Sequence, residues 1–282
     1  MQETQGTDAP RGADGSHRRQ AVAPATCPFG AEAFQKSDRT TLRWLGMAGF
    51  MINVRGTILM IDPLLTGIDM PLLIEVPISA PDVPYVDAVL VTHSDNDHYG
   101  APTCRDLLHV TRAYHSTRYV SSLASIKDMP SQGHDIGDSF DVGPAHVTLT
   151  PADHAWQNSR PQPGQRFFQN EDACGFWIET PDGTIWAPGD SRLIREHHLA
   201  MPAPDALLFD FSDSEWHFGL RGAVEMANTY PSTDLLLHHW GSVDAPDFPP
   251  FNGNPADLYG AVLNPERIRV LAPGEPFQLR AH

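Results

Sequence analysis

A chain of 282 residues, 41% hydrophobic and 19% charged, is long enough to bury a sizeable core, and one large α/β domain is the simplest expectation. A net charge of −16 argues against nucleic acid and against an anionic membrane surface as partners. Cys27, Cys104 and Cys174 are scattered and odd in number, which excludes a disulfide framework and a thiolate zinc site and fits a reducing compartment.

Residues 1–38 are rich in Gly, Ala, Asp, Gln and Ser and have no hydrophobic period. They read as a flexible tail, with 29–34 able to dock on the domain. His17-Arg18-Arg19 and the stretch after it have the outline of an export signal. That stretch lacks Leu, Ile and Phe, and Pro24 and Pro28 interrupt it, so the cytoplasm is the expected compartment. No apolar run approaches the roughly 18 residues needed to span a bilayer.

The domain spans 39–282. Residues 41–45, 49–54 and 57–61 read as strands, with Arg55-Gly56 as a tight turn. After an irregular stretch over 64–84, residues 86–92 form a nearly continuous apolar run, a buried strand. His93 to Gly100 is then a polar loop, and 102–109 a helix with Pro early, where it is tolerated. Residues 146–150 are a strand ending at Pro151-Ala152-Asp153-His154. Residues 176–180 and 184–187 pair as a hairpin that ends at Pro188-Gly189-Asp190. His197-His198 falls on a helix and reads as solvated. A short strand at 206–209 and a helix at 220–229 precede a strand at 234–237, which runs into His238-His239-Trp240-Gly241. A last strand covers 267–271.

Apolar strands therefore end in His or Asp at 93, 154, 190 and 239. Strand ends are where rigid backbone can hold ligands in loops. His93-Ser94-Asp95-Asn96-Asp97-His98 places four possible metal ligands within six residues. A solvated turn rich in Asp and Asn is the bland alternative, and the position straight after a buried strand weighs against it.

On these residues the chain resembles the metallo-β-lactamase superfamily, whose hallmark is His-x-His-x-Asp-His after a strand. Trp44-Leu45-Gly46-Met47-Ala48-Gly49-Phe50 looks like the opening signature of the branch with ascorbate-phosphate lactonases and N-acyl phosphatidylethanolamine phospholipase D relatives. Ile61-Asp62-Pro63, Val91-Thr92-His93, Pro151-Ala152-Asp153-His154, Gly189-Asp190-Ser191 and His239-Trp240-Gly241 follow in the family's order. The resemblance implies a four-layer αββα sandwich with two divalent metal ions, zinc as found and manganese or iron as alternatives. It implies a first site of His93, Asp95 and His154, a second of Asp97, His98 and His239, and Asp190 as the bridge. Two cations about 3.5–4 Å apart repel, and a shared carboxylate and hydroxide relieve that repulsion. Two departures stand out: Asp95 occupies a position usually held by His, and Met47 another.

The expected reaction is hydrolysis of a lactone, amide or phosphodiester by a metal-bridging hydroxide, with Asp97 steering the nucleophile and His217 lining the pocket. Solvent exposure is the alternative for His217. If the strand continues through His239, alternation points His238 to the opposite face, where it supports a ligand from behind or packs. Trp156, Trp216 and Trp240 neighbour site residues, as pocket walls or core packing. The rival functions are iron-dependent oxidation on the same fold and a non-catalytic metal-binding protein. The partner is a small-molecule substrate, and the oligomeric state is left open.

Overall fold

The computed structural model describes residues 20–280. In chain order the first half comprises β1 (Thr41–Gly46), β2 (Gly49–Val54), β3 (Thr57–Ile61), β4 (Ala88–Leu90), α1 (Ala101–Asp106), β5 (Tyr114–Thr117), α2 (Arg118–Ser125), β6 (Ser131–His134), β7 (Ser139–Val142) and β8 (Ala145–Pro151). The second comprises β9 (Cys174–Thr180), β10 (Gly183–Ala187), α3 (Arg195–His198), β11 (Ala206–Asp210), α4 (Gly219–Thr229), β12 (Asp234–His238), α5 (Ala256–Tyr259), β13 (Ile268–Arg269) and β14 (Pro276–Gln278).

Side chains alternate across a strand, and here both sets are apolar. Leu42, Trp44, Phe50, Ile52, Leu59 and Ile61 face the core between the two sheets. Met51, Ile58, Met60 and Val89 face the opposite way, against Cys104 of α1 and Val120 and Ala124 of α2. A sheet apolar on both faces must be covered on both. The result is two mixed seven-stranded sheets, β14-β1-β2-β3-β4-β5-β6 and β13-β12-β11-β10-β9-β8-β7. Helices lie outside them; α4 contributes Ala223, Met226 and Ala227 to the core. This is the αββα sandwich. Among the described residues, no helix is long and apolar enough to cross a membrane.

Several expectations are corrected. The strand expected over 86–92 is regular only over Ala88–Leu90, although the Val86 and Val91 amides still bond Val110 and His115 carbonyls. The helix expected over 102–109 spans Ala101–Asp106, and the strand over 267–271 only Ile268–Arg269. His198 is buried beneath Trp186 and Phe218 rather than solvated. Residues 20–38, placed within a loose tail, pack on the domain. Phe34 is fully buried, the Asn53 side-chain amide donates to the carbonyls of Ala33 and Gln35, and the Ala23 amide donates to Gly241. The Phe34 ring and hydrogen bonds such as those from the Cys27 amide to Pro273 and from the Phe29 amide to Pro77 hold a stretch whose sequence has no periodicity. The rest of that tail, 1–19, lies outside the described residues.

Candidate metal centre

Strands β4, β8, β10 and β12 end at one edge of the sandwich, and the loops leaving them bring the seven expected ligands together. After β4 the loop turns back at once, with the amides of His98 and Tyr99 both donating to the Asp95 carbonyl. After β10 the chain turns at Gly189, whose φ is +69° and where a Cβ would lie 2.7 Å from the Cys174 carbonyl; only glycine fits there. After β12 the turn falls on His239 itself, at φ 61°. Its amide donates to Met47, which also has positive φ. Asp62, at the end of β3, has φ 42°. Left-handed conformations at three non-glycine residues are costly, and their clustering marks a functional site.

Two ligand sets result, and they share Asp190. Asp97, His98, Asp190 and His239 form one; His93, His154 and Asp190 form the other, each with donor atoms within 4.8 Å of one another. In the first set, His98 Nε2 is 3.1 Å from Asp190 Oδ2 and 3.8 Å from Asp97 Oδ2, and His239 Nε2 is 3.4 Å from Asp97 Oδ2. Asp95 belongs to neither set but borders the second, with its Oδ2 3.4 Å from His93 Nε2 and 3.3 Å from His154 Nε2. All seven expected ligands are thus at the cluster. His238 is not: it packs edge-on against Phe50 and joins no ligand set among the described residues.

Each imidazole presents Nε2 inward because Nδ1 is occupied. His98 Nδ1 bonds Asp62 at 2.7 Å, His93 Nδ1 bonds the Thr92 hydroxyl at 3.0 Å, and the carbonyls of Trp216 and Pro250 accept from His154 and His239 at 3.0 and 2.7 Å. Outer partners of this kind fix tautomer and ring direction for metal binding.

The donors fit a cation. His93 Nε2 and Asp190 Oδ1 are buried without any hydrogen-bond partner. Buried polar atoms are rarely left unpaired, and these face the donors of their own ligand sets. The electrostatics agree. Burial opposes charge on His98, yet the carboxylates of Asp190, Asp97 and Asp62 outweigh it and raise its pKa well above the ordinary range. His239 is raised to about 9 against its burial, chiefly by Asp190 and Asp97. Burial opposes charge on Asp190, and His217, His98 and His239 hold it well below the usual carboxylate range. Burial likewise opposes charge on Asp95, Asp97 and Asp210, and the imidazoles around them hold all three below the usual carboxylate range; among the described residues no Lys or Arg pairs with these carboxylates or with Asp190.

His217 is buried beside the centre, not solvated, with Nε2 3.4 Å from Asp190 Oδ2. Its Nδ1 bonds Asp210 at 2.5 Å. Asp210, His217 and His239 form a third group of possible ligands. Sequence reasoning missed Asp210 and gave Asp62 no role, although both end buried strands as Asp190 does. Extending the same rule to β3 and β11 finds them. Trp240 stacks on Trp44 in the core, while Trp156 is half-exposed and donates to Asp95. The Met47 side chain packs with Leu64, Val243 and Phe251, so the polar role is lost there and only its backbone serves the site.

Residues 57–240 match the model of the beta-lactamase superfamily domain. The chain is similar to a UPF0173 metal-dependent hydrolase of Anaeromyxobacter dehalogenans, 29% identical over 84% of this chain and 86% of the relative. Among solved structures it is similar to a possible metal-dependent hydrolase of Veillonella parvula, with TM-score 0.69, 18% identity and coverage of 86% and 100% of the two chains. It is also similar to an isothiocyanate hydrolase from Delia radicum gut bacteria, with TM-score 0.67, 18% identity and the same coverage.

Proposed function

The chain belongs to the metallo-β-lactamase superfamily as a metal-dependent hydrolase, and on that premise we propose that it uses two metal ions to hydrolyse a small-molecule substrate at a carbonyl or phosphoryl centre. The observation that carries this reading is the pair of ligand sets joined at Asp190, with buried, unpartnered atoms aimed into them. His93, Asp95, His154 and Asp190 would hold one ion, and Asp97, His98, His239 and Asp190 the other. Bound there, two divalent ions would supply Lewis acidity and lower the pKa of water towards neutrality.

The chain's own residues do the rest. Asp97, beside His98 and His239, orients the nucleophile and accepts its hydrogen bond. His217 has its Nδ1–H donated to Asp210, which leaves the Nε2 lone pair facing the centre to take the proton that the attacking water gives up and pass it on to the leaving group. Lactones, amides and phosphodiesters are the candidate substrates. The acidity of the chain supports neither a nucleic-acid nor an anionic membrane partner.

The test is elemental analysis of protein purified without added metal, followed by a panel of lactones, amides, esters and phosphodiesters with zinc, manganese and iron. About two metal equivalents and turnover of one class are expected. Fewer than about half an equivalent would overturn the two-metal reading. Metal-dependent oxygen consumption without hydrolysis would replace it by iron oxidation.

A further inference from the structure

Asp95 is where this chain leaves its family's usual histidine, and its surroundings are built for a carboxylate. Trp156 Nε1 donates to Oδ2 at 2.5 Å, and Gln157 Nε2 donates to Oδ1 at 2.6 Å. Both oxygens are thereby fixed, and Oδ2, with the Trp156 bond on one lone pair, turns its other side to His93 Nε2 and His154 Nε2 together. Without these donors the carboxylate can rotate about its terminal torsion, which is broad for aspartate. An imidazole at this position offers one acceptor nitrogen at most and cannot receive both bonds while ligating.

The clamp is itself braced. Trp156 and Gln157 sit in the single turn Trp156–Ser159, two residues beyond the ligand His154. Asn158 in the same turn exchanges two hydrogen bonds with the backbone of Phe168, and Ser159 bonds the Trp156 carbonyl. One short segment therefore delivers a ligand and both donors that aim its neighbour.

We propose that Trp156 and Gln157 are positioning residues that make an aspartate competent at the first metal position. This rests on the two-metal reading above. Loss of a group that orients a ligand costs about 10–100-fold in metal affinity. Trp156→Phe keeps an aromatic ring while removing the donor together with the five-membered ring that bears it; Gln157→Leu keeps the bulk.

The experiment is a chelator-competition titration of wild type, each variant, Asp95→His and the two double variants. Cobalt(II) absorption spectra serve as the report on ligand geometry, and circular dichroism of the metal-free proteins as the check on folding. Each single variant should bind the first metal about 10–100-fold more weakly, with an altered cobalt spectrum and an unchanged second site. In the Asp95→His background the same substitutions should cost less than about 3-fold. Wild-type affinity in both single variants, or equal losses in both backgrounds, overturns the clamp. If Gln157→Leu fails to fold, the exposed Trp156→Phe decides alone. Wild-type protein that binds no metal defeats the two-metal reading instead, and the two failures are thereby told apart.

Discussion

The two halves of the metal centre share Asp190 but are built differently. Around His98 and His239 the donors are almost wholly buried, and their outer partners are the Asp62 carboxylate and the Pro250 carbonyl. The Ala23 amide braces the turn at Gly241, where a Cβ would lie 2.6 Å from that nitrogen. Around His93 and His154, which are buried as well, the outer partners are a hydroxyl, a carbonyl and the donors on Asp95, one of which, Trp156, is itself part-exposed and makes this the more open half. The buried half is held by charge and a fixed backbone, and so should bind tightly. The open half is held by neutral hydrogen bonds, and so should be the tunable one.

The largest effect erases the comparison. Asp190→Ala removes the one ligand common to both sets, and metal content should fall at both halves with loss of all measurable turnover. Retention of one full equivalent would mean that the halves are independent.

Next, His239→Ala should empty the buried half and abolish activity. His238→Ala, one residue away, should keep metal affinity within about 3-fold and cost stability by roughly 1–3 kcal/mol through the lost contact with Phe50. Equal metal loss in the two variants would place the site on the wrong face of β12.

Deleting residues 1–36 removes Phe34 from the core and the Ala23 brace from the turn after β12. Loss of a buried Phe costs about 3–5 kcal/mol, so a large drop in Tm is expected. Any surviving metal loss should fall first on the buried half. Deleting 1–19 is expected to change neither, and Tm and metal titration of the two truncations check both statements.

Asp95→His acts on the open half alone. An imidazole in place of anionic oxygen should shift that half towards zinc over manganese and iron, by about 10-fold in relative affinity, as read by competition. An unchanged preference would show that Asp95 is not a ligand.

The last effect lies outside both halves and emerges only as pH falls. Burial lowers the His198 pKa to about 3, with the nearby His197 adding to it, so the ring is neutral in the fold. The unfolded chain protonates it near pH 6.5. Its contribution is therefore whole above pH 6.5 and is lost as pH falls towards 3, by up to about 1.4 kcal/mol per pH unit. His198→Gln should flatten the acid limb of a denaturation series without moving metal affinity.

The sequence by itself pointed to the seven residues that the fold gathers: His and Asp at the ends of apolar strands are legible as local pattern, while the sandwich and the division into two metal sites came from the resemblance to a family. The sequence did not show β5, α2, β6 or β7. Ser131–His134 and its neighbours are short and polar, and they join the sheets through backbone bonds that any side chain permits. Only the tertiary structure decided that Asp62 and Asp210 orient His98 and His217, that Phe34 ties residues 20–38 to the core, and that His198 is buried. It alone brought Trp156 and Gln157 to Asp95 across 61 and 62 residues of chain. A hydrogen-bond donor has no periodicity and no preferred neighbour in sequence. Its partner is chosen by where the folded backbone places it.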